Sequence, residues 1–586
     1  MRRAISFFVL FAFFVQGSFV IPAQDIVMGE EITFASSVFI LRSSNKSQKK
    51  FAPGKTKVRK RSSSSKVREQ IAYKISPKSP TKTRQTQSEK ASRDIASAAM
   101  ALLEKGEYET AIDYFIQAIS LDPKNQDAKI GLSRAYTVKA NQFLDSKRLD
   151  RAEYFYKEAI KYDANNAAAY AGLGEVYEEL ERRDEALKNY EKALSINPQL
   201  EDLYLTVGIL YLEKGDLAKA DEYISKAAVK SETAETKYLK GVVYYRLDKY
   251  QEALATLNDA VRLDPNNAEA YYYLGETYDR LNREQEALDS YRQATRLNPN
   301  FFEAWFDMGV ILYNRNRYED AIEAYKKAIQ LRPDYGEAYL NLANALRKTK
   351  KYQEAVSYYE VAANFIKDDA DLYSEWGFCL AVLGKWNNAI EKLTAATNVS
   401  ADSVDYANLG WAYYNSAQED LRNKRDAQAR EKLLKGKEAL QRAVQLNPRL
   451  APAFLNLGIT LTDLGEYEFA VQALSRAVDL RKRWIFAINE LGIAYRKLGK
   501  LDLAVKHFQE ALQIDQNFVP ALYNLGETEA RRGNKKEAQK AQERLKKLNP
   551  ELAKQLDIII SAGVLKEDLK KDLKDDLKRK LPIRVP

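Results

Sequence analysis

The sequence holds one cysteine, Cys379, and one histidine, His507, in 586 residues. A single thiol permits no intrachain disulfide and no cysteine-rich metal site. A single imidazole removes almost all of the serine–histidine, cysteine–histidine and histidine-cluster arrangements used in hydrolysis and metal catalysis. Glycine (24) and proline (15) are scarce as well. That excludes a collagen-like chain and a proline- and glycine-rich low-complexity chain, and it argues against a turn-rich barrel. Beyond residue 21 no stretch is apolar enough to span a bilayer. What is plentiful is apolar material, 45% of the chain with 37 tyrosines. This is enough for a large core and rules out disorder throughout.

Charge is unevenly placed. Residues 1–91 hold 18 Lys or Arg against 5 Asp or Glu, whereas the rest of the chain holds 74 against 77. The excess of positive charge therefore belongs to an N-terminal arm, and any electrostatic claim on a polyanion concerns that arm alone. Arg2 and Arg3 precede an apolar run from Ile5 to Val15, and Ile21-Pro22-Ala23 follows as an imperfect cleavage site. Residues 1–23 are thus expected to be a signal peptide that exports the chain to a periplasm or the exterior. The alternative is an uncleaved N-terminal membrane anchor. Residues 24–91 are expected to form a disordered basic linker, since 42–90 is rich in Ser, Lys, Arg and Thr and has no sustained apolar period. The cluster Lys55 to Arg61 suits an anionic envelope polymer or lipid surface better than nucleic acid, because an exported chain meets no genome.

The body is an internal repeat. Gly174, Gly208, Gly241, Gly275 and Gly309 recur at 33 or 34 residues, and Ala343, Gly377, Gly410, Gly458, Gly492 and Gly526 continue the series. Twelve residues after most of them stands an alanine such as Ala253 or Ala287, and seven further on another, such as Ala260 or Ala294. Apolar residues three and four apart mark two helices per unit, with small residues where they cross. Proline closes many units, for example Pro265, Pro299 and Pro448, because it ends the second helix. One hairpin cannot hide its own apolar face, so neighbours must stack.

This pattern resembles the tetratricopeptide repeat family, most closely over 268–301, from Ala-Glu-Ala-Tyr-Tyr-Tyr-Leu-Gly to Asn298-Pro299. Thirteen units are counted over 92–552. The resemblance implies an all-α, right-handed solenoid whose first helices line a concave groove, and a non-catalytic scaffold that binds peptide or helical segments of other proteins there. Residues 553–562 are expected to cap the array, with Leu552, Leu556 and Ile559 facing it, and 563–586 to form a charged amphipathic tail. Two units are long. Seven extra residues between Tyr136 and Ala152 fit one added turn per helix, and fourteen between Tyr413 and Gly436 fit two.

Candidate groove residues are the aromatics Tyr238, Tyr245, Tyr272, Tyr273, Phe306 and Tyr313, whose size and polar handles suit peptide capture. A second set shares one slot of the first helix: Asn341, Asn408, Asn456 and Asn524, interrupted by Glu375 and Glu490. In the family that slot can hold a peptide backbone. Acids open six successive first helices, from Asp202 to Asp371, and fit the positive end of the helix dipole. Cys379 is expected in the core and His507 on a second helix outside any catalytic role. No catalytic residue, metal or cofactor is expected, because stacked hairpins provide no closed dry pocket in which carboxylate pairs separate their pKa values.

Overall fold

The computed structural model describes residues 86–562 and the backbone of 26–28, 31–34 and 37–40. The expected signal segment 1–23, most of the basic stretch and the tail 563–586 lie outside the described residues.

From Thr86 onward the described chain is helical throughout, apart from short turns. The first pairs are α1 (Gln87–Glu104) and α2 (Tyr108–Leu121), α3 (Gln126–Asp145) and α4 (Leu149–Tyr162), α5 (Ala167–Glu179) and α6 (Arg183–Ile196). Then come α7 (Glu201–Lys214) and α8 (Leu217–Lys230), α9 (Ala234–Arg246) and α10 (Tyr250–Leu263), α11 (Ala268–Arg280) and α12 (Glu284–Leu297). The middle pairs are α13 (Phe302–Asn314) and α14 (Tyr318–Leu331), α15 (Gly336–Lys348) and α16 (Tyr352–Phe365), α17 (Ala370–Val382) and α18 (Trp386–Val399). The last are α19 (Ser403–Arg422) and α20 (Asp426–Leu446), α21 (Ala451–Leu464) and α22 (Tyr467–Leu480), α23 (Ile485–Lys497) and α24 (Leu501–Ile514), α25 (Val519–Arg531) and α26 (Lys535–Leu548). A single helix, α27 (Pro550–Ala562), follows. Thirteen hairpins are therefore present among the described residues, as the repeat spacing requires.

The chain divides into two packed units, 51–311 and 312–586 together with 1–50, with the division inside α13. Within each, a first helix packs against the next first helix: α1 on α3 and α9 on α11 in one, α19 on α21 and α23 on α25 in the other. Second helices make no comparable contact with each other among the described residues. The first helices thus form the inner, tighter face of each unit.

Local chemistry explains the hairpins. The second helix α10 ends at Leu263 before Asp264-Pro265, the Asp264 carboxylate accepts from the Asn266 amide (3.0 Å), and Asn267 caps α11 by accepting from the Ala270 amide (2.9 Å). The hairpin turns all use one left-handed residue. In six pairs it is glycine, Gly215 for instance, and in seven it is not, Glu181 (φ 58°) and Asn282 (φ 56°) among them. Close approach needs the repeat glycine. A Cβ on Gly410 would lie 2.9 Å from the Gly436 carbonyl oxygen and 2.5 Å from Leu440 Cγ.

Several boundaries differ from expectation. α1 begins at Gln87, five residues before Ser92, because Thr86 and Glu89 form a reciprocal capping box: the Glu89 amide donates to Thr86 Oγ1 and the Thr86 amide to the Glu89 carboxylate. The seven extra residues of the second unit are not shared between helices. They all lengthen α3, which has 20 residues against 14 in α4. The ordinary twelve-residue step runs from Ala140 to Ala152, so the hairpin turn is unchanged and the addition sits at the start of α3. The fourteen residues of the later unit do divide as expected, since α19 has 20 and α20 has 21. Leu556 of α27 is buried against Gly526, with Leu552 and Ile559 packed around the same cluster, so α27 closes the array as expected.

Reading everything from Gln24 onward as disordered linker is too broad. Residues Ile26–Met28 (β1), Glu31–Phe34 (β2) and Ser37–Ile40 (β3) form an antiparallel sheet in the order β1-β2-β3, with Ile26 opposite Thr33 and Glu31 opposite Ile40. The reason lies in the composition of 26–40, which is apolar and β-branched and unlike the lysine-rich stretch after it.

Replacing Gly410 by alanine forces α19 and α20 apart and is expected to destabilise the chain by about 1–3 kcal/mol. Glu181→Gly removes a side chain from a left-handed residue and is expected to stabilise by about 0.5–1 kcal/mol. Thermal melts of the two variants should move in opposite directions.

Candidate binding surface on the first helices

In the unit 51–311 the aromatic candidates are packing residues. Tyr272 is 1% exposed and Phe306 not at all, and Tyr238, Tyr245 and Tyr273 are also buried. The Tyr272 hydroxyl donates to Asp307 Oδ2 (3.0 Å), tying α11 to α13, and the Tyr245 hydroxyl donates to Glu276 Oε2 (2.7 Å), tying α9 to α11. Glu276 also accepts from Tyr291 of α12. Tyr273 lies 5.4 Å from Tyr272 and 5.8 Å from Tyr245, ring centre to ring centre, in edge-on geometry. Burial, with Asp307 next in effect, pushes the Tyr272 hydroxyl well above the ordinary phenol range. The expectation that these five rings line the surface is therefore corrected. Helical phase puts them on the correct side of the first helix, but the neighbouring first helix covers that side. Tyr313, in the other unit, is half-buried and meets Tyr318 edge-on at 5.2 Å.

In the unit 312–586 the slot pattern holds together. Asn341, Asn408, Asn456 and Asn524 stand on α15, α19, α21 and α25, all first helices and all buried. The Asn524 amide donates to Asn489 Oδ1 of α23 (3.1 Å). The interrupting residue Glu375 of α17 has a purpose: Arg347 Nε of α15 lies 2.7 Å from its carboxylate, and both side chains are nearly buried. Ser374 beside it donates to Asp405 Oδ1 of α19 (2.7 Å). Arg496 of α23 similarly meets Glu527 of α25, which Arg531 also contacts at 2.7 Å. Polar bridges thus join neighbouring first helices along this face. Arg347 and Asp405 were not singled out from sequence; their signal was a charge at a first-helix position that an amphipathic pattern leaves to apolar residues.

The six first-turn acids, Asp202, Glu235, Glu269, Glu303, Glu337 and Asp371, do open α7, α9, α11, α13, α15 and α17, where the helix dipole favours them. Cys379 is buried, and burial first of all pushes its thiol up, away from the reactive thiolate. His507 stacks flat on Tyr495 at 5.4 Å with Nδ1 3.0 Å from Glu510. Among the described residues no group of three or more His, Cys, Asp or Glu could hold a metal, and no helix is long and apolar enough to cross a membrane.

Family models for the tetratricopeptide repeat match residues 96–125, 143–188, 238–301, 290–323, 309–349, 336–367, 485–518 and 519–552. The chain belongs to the tetratricopeptide repeat family. A model for subunit 3 of the anaphase-promoting complex, or cyclosome, also matches this repeat protein over 179–260. Among curated relatives, the repeat array is 25% identical over 161 residues to anaphase-promoting complex subunit 3 of Schizosaccharomyces pombe, covering 27% of this chain and 23% of that protein. It is 35% identical over 114 residues to BBSome complex member BBS4 of Bos taurus, covering 19% and 22%. A human relative named Protein O-mannosyl-transferase TMTC3 is 26% identical over 184 residues, 28% of this chain and 19% of that one. The matches thus span no more than about a quarter of these relatives' length. Of solved structures, that of MamA protein is 28% identical with a TM-score of 0.26, covering 28% of this chain and 90% of that one. The APC/C hetero-tetramer Cut9-Hcn1 is 17% identical with a TM-score of 0.32, covering 75% and 96%.

Burial would raise the Glu527 carboxyl, but Arg496 and Arg531 beside it hold it below the ordinary carboxylate range. A carboxyl lowered on folding contributes stability above that range and loses it as pH falls through the folded-state value. The melting temperature is expected to drop below about pH 4. Glu527→Gln should melt lower than the unaltered chain at neutral pH and show a smaller acid-induced drop.

Proposed function

We propose that this tetratricopeptide-repeat scaffold binds segments of other proteins along the inner face of the first helices of 312–586. The observation that supports it is the run of polar groups, Asn341, Glu375, Asn408, Asn456, Glu490 and Asn524, repeated in one slot of six successive first helices and all buried except the half-buried Glu375. An amide side chain offers both a donor and an acceptor, which is what a peptide backbone requires of a surface. Anaphase-promoting complex subunit 3 and BBSome complex member BBS4 carry in their names membership of assemblies, which accords with a scaffold. The chain carries out this role without catalysis and outside the cytoplasm. The support for export is Arg2, Arg3 and the apolar run Ile5 to Val15.

A photo-reactive group placed at Glu337, in the first turn of α15, tests the binding face. It is expected to cross-link co-purifying proteins, whereas the same group at Phe469, 60% exposed on the second helix α22, should not. Equal cross-linking at both positions would remove the case for the inner face.

A further inference from the structure

The sheet formed by 26–40 does not stand apart from the repeats. Its last strand, β3, runs against α19 and α21 and belongs to the same packed unit. Both are first helices, and they are consecutive first helices. They carry Asn408, which is fully buried, and Asn456, which is 2% exposed. The dimensions match: neighbouring helices lie about 8–10 Å apart, and four extended residues span about 13 Å. In the order β1-β2-β3 the strand is an edge, with one side of its backbone unpaired within the sheet. An edge strand seeks donors and acceptors, and two buried amide side chains on the helices it meets are of that chemistry. The stretch is also uncharged, Ser37-Val38-Phe39-Ile40, while 15 of the 45 residues that follow it (41–85) are Lys or Arg and only Glu69 is acidic.

We infer that Ser37–Ile40 is a resident ligand of the binding face, held on α19 and α21 as an extended strand, so that a partner must displace it. This rests on the proposed function and sharpens it in two ways. This stretch of the face takes extended, uncharged apolar segments rather than helices, and it is closed until such a segment competes. The basic run after β3 leaves the strand tethered by a long polar chain that can stay attached when the strand leaves.

Two measurements on the full chain test this. A benzoylphenylalanine at Phe39 is expected to cross-link within its own molecule to 403–422 and 451–464. Cross-links elsewhere, none at all, or links between two isotopically distinct copies would overturn the inference, the last by assigning the face to a second copy. In the other measurement, a fluorescent peptide of residues 31–41 is titrated into the unaltered chain and into a Val38→Pro, Ile40→Pro chain. Those changes lie outside the repeats and leave the array folded. The peptide should bind the proline variant at least tenfold more tightly, and Asn408→Ala with Asn456→Ala on that background should abolish the gain. Equal binding to the unaltered and proline chains overturns the inference. Partner cross-linking at Glu337 would persist in that event, so the proposed function would survive it.

Discussion

No hairpin in this chain can hide its own apolar face, and the rest of the structure follows from that. Each unit exposes on one side what the next unit covers, so the alanines at the crossings, Ala253 and Ala260 or Ala287 and Ala294, are buried in every repeat where they recur. Small residues are needed because the helices approach to contact distance. Gly410 and Gly436 bring α19 and α20 so close that each would touch the other's carbonyl through an added Cβ. An array built this way has open ends. α27 closes one of them by setting Leu556 over Gly526.

The same requirement shapes the inner face. Where first helices pack on one another, large residues placed there become mortar between units. Tyr245, Tyr272 and Tyr291 satisfy their hydroxyls on Glu276 and Asp307 and leave no free ring surface. In 312–586 the slot that holds Tyr273 carries amides and acids instead, from Asn341 to Asn524, and the slot of Tyr245 carries Arg347 and Arg496. Arg347–Glu375 and Arg496–Glu527 link adjacent first helices, and removing one partner of such a pair leaves a buried charge exposed to a low-dielectric surrounding.

Much of this was legible in the chain. The 34-residue period, the small residues and the closing prolines located thirteen hairpins, and the fourteen-residue excess after Tyr413 was rightly shared between α19 and α20. Other signals are fainter. Thr86 with Glu89 is a capping box that starts the first helix five residues before Ser92, and the Ala140 to Ala152 step places the extra turns of the second unit before the hairpin rather than at it. The apolar β-branched run within 26–40 was absorbed into a linker judged by the lysines that follow.

What the chain determined by itself is periodic and local: which residues are helical, where each helix stops, and which small residues let two helices cross. These follow from spacing, capping and the missing N–H of proline, all of which act within a few residues. Only the tertiary structure decided which face of a first helix meets solvent and which meets a neighbour. Tyr273 and Asn408 stand in the same slot, two residues before Gly275 and Gly410, and nothing local distinguishes a ring that will be sealed between units from an amide on a helix that packs against a strand some 370 residues away in sequence. That choice depends on how neighbouring units stack and on where the chain's own beginning comes to rest, and neither is written in the period of the repeat.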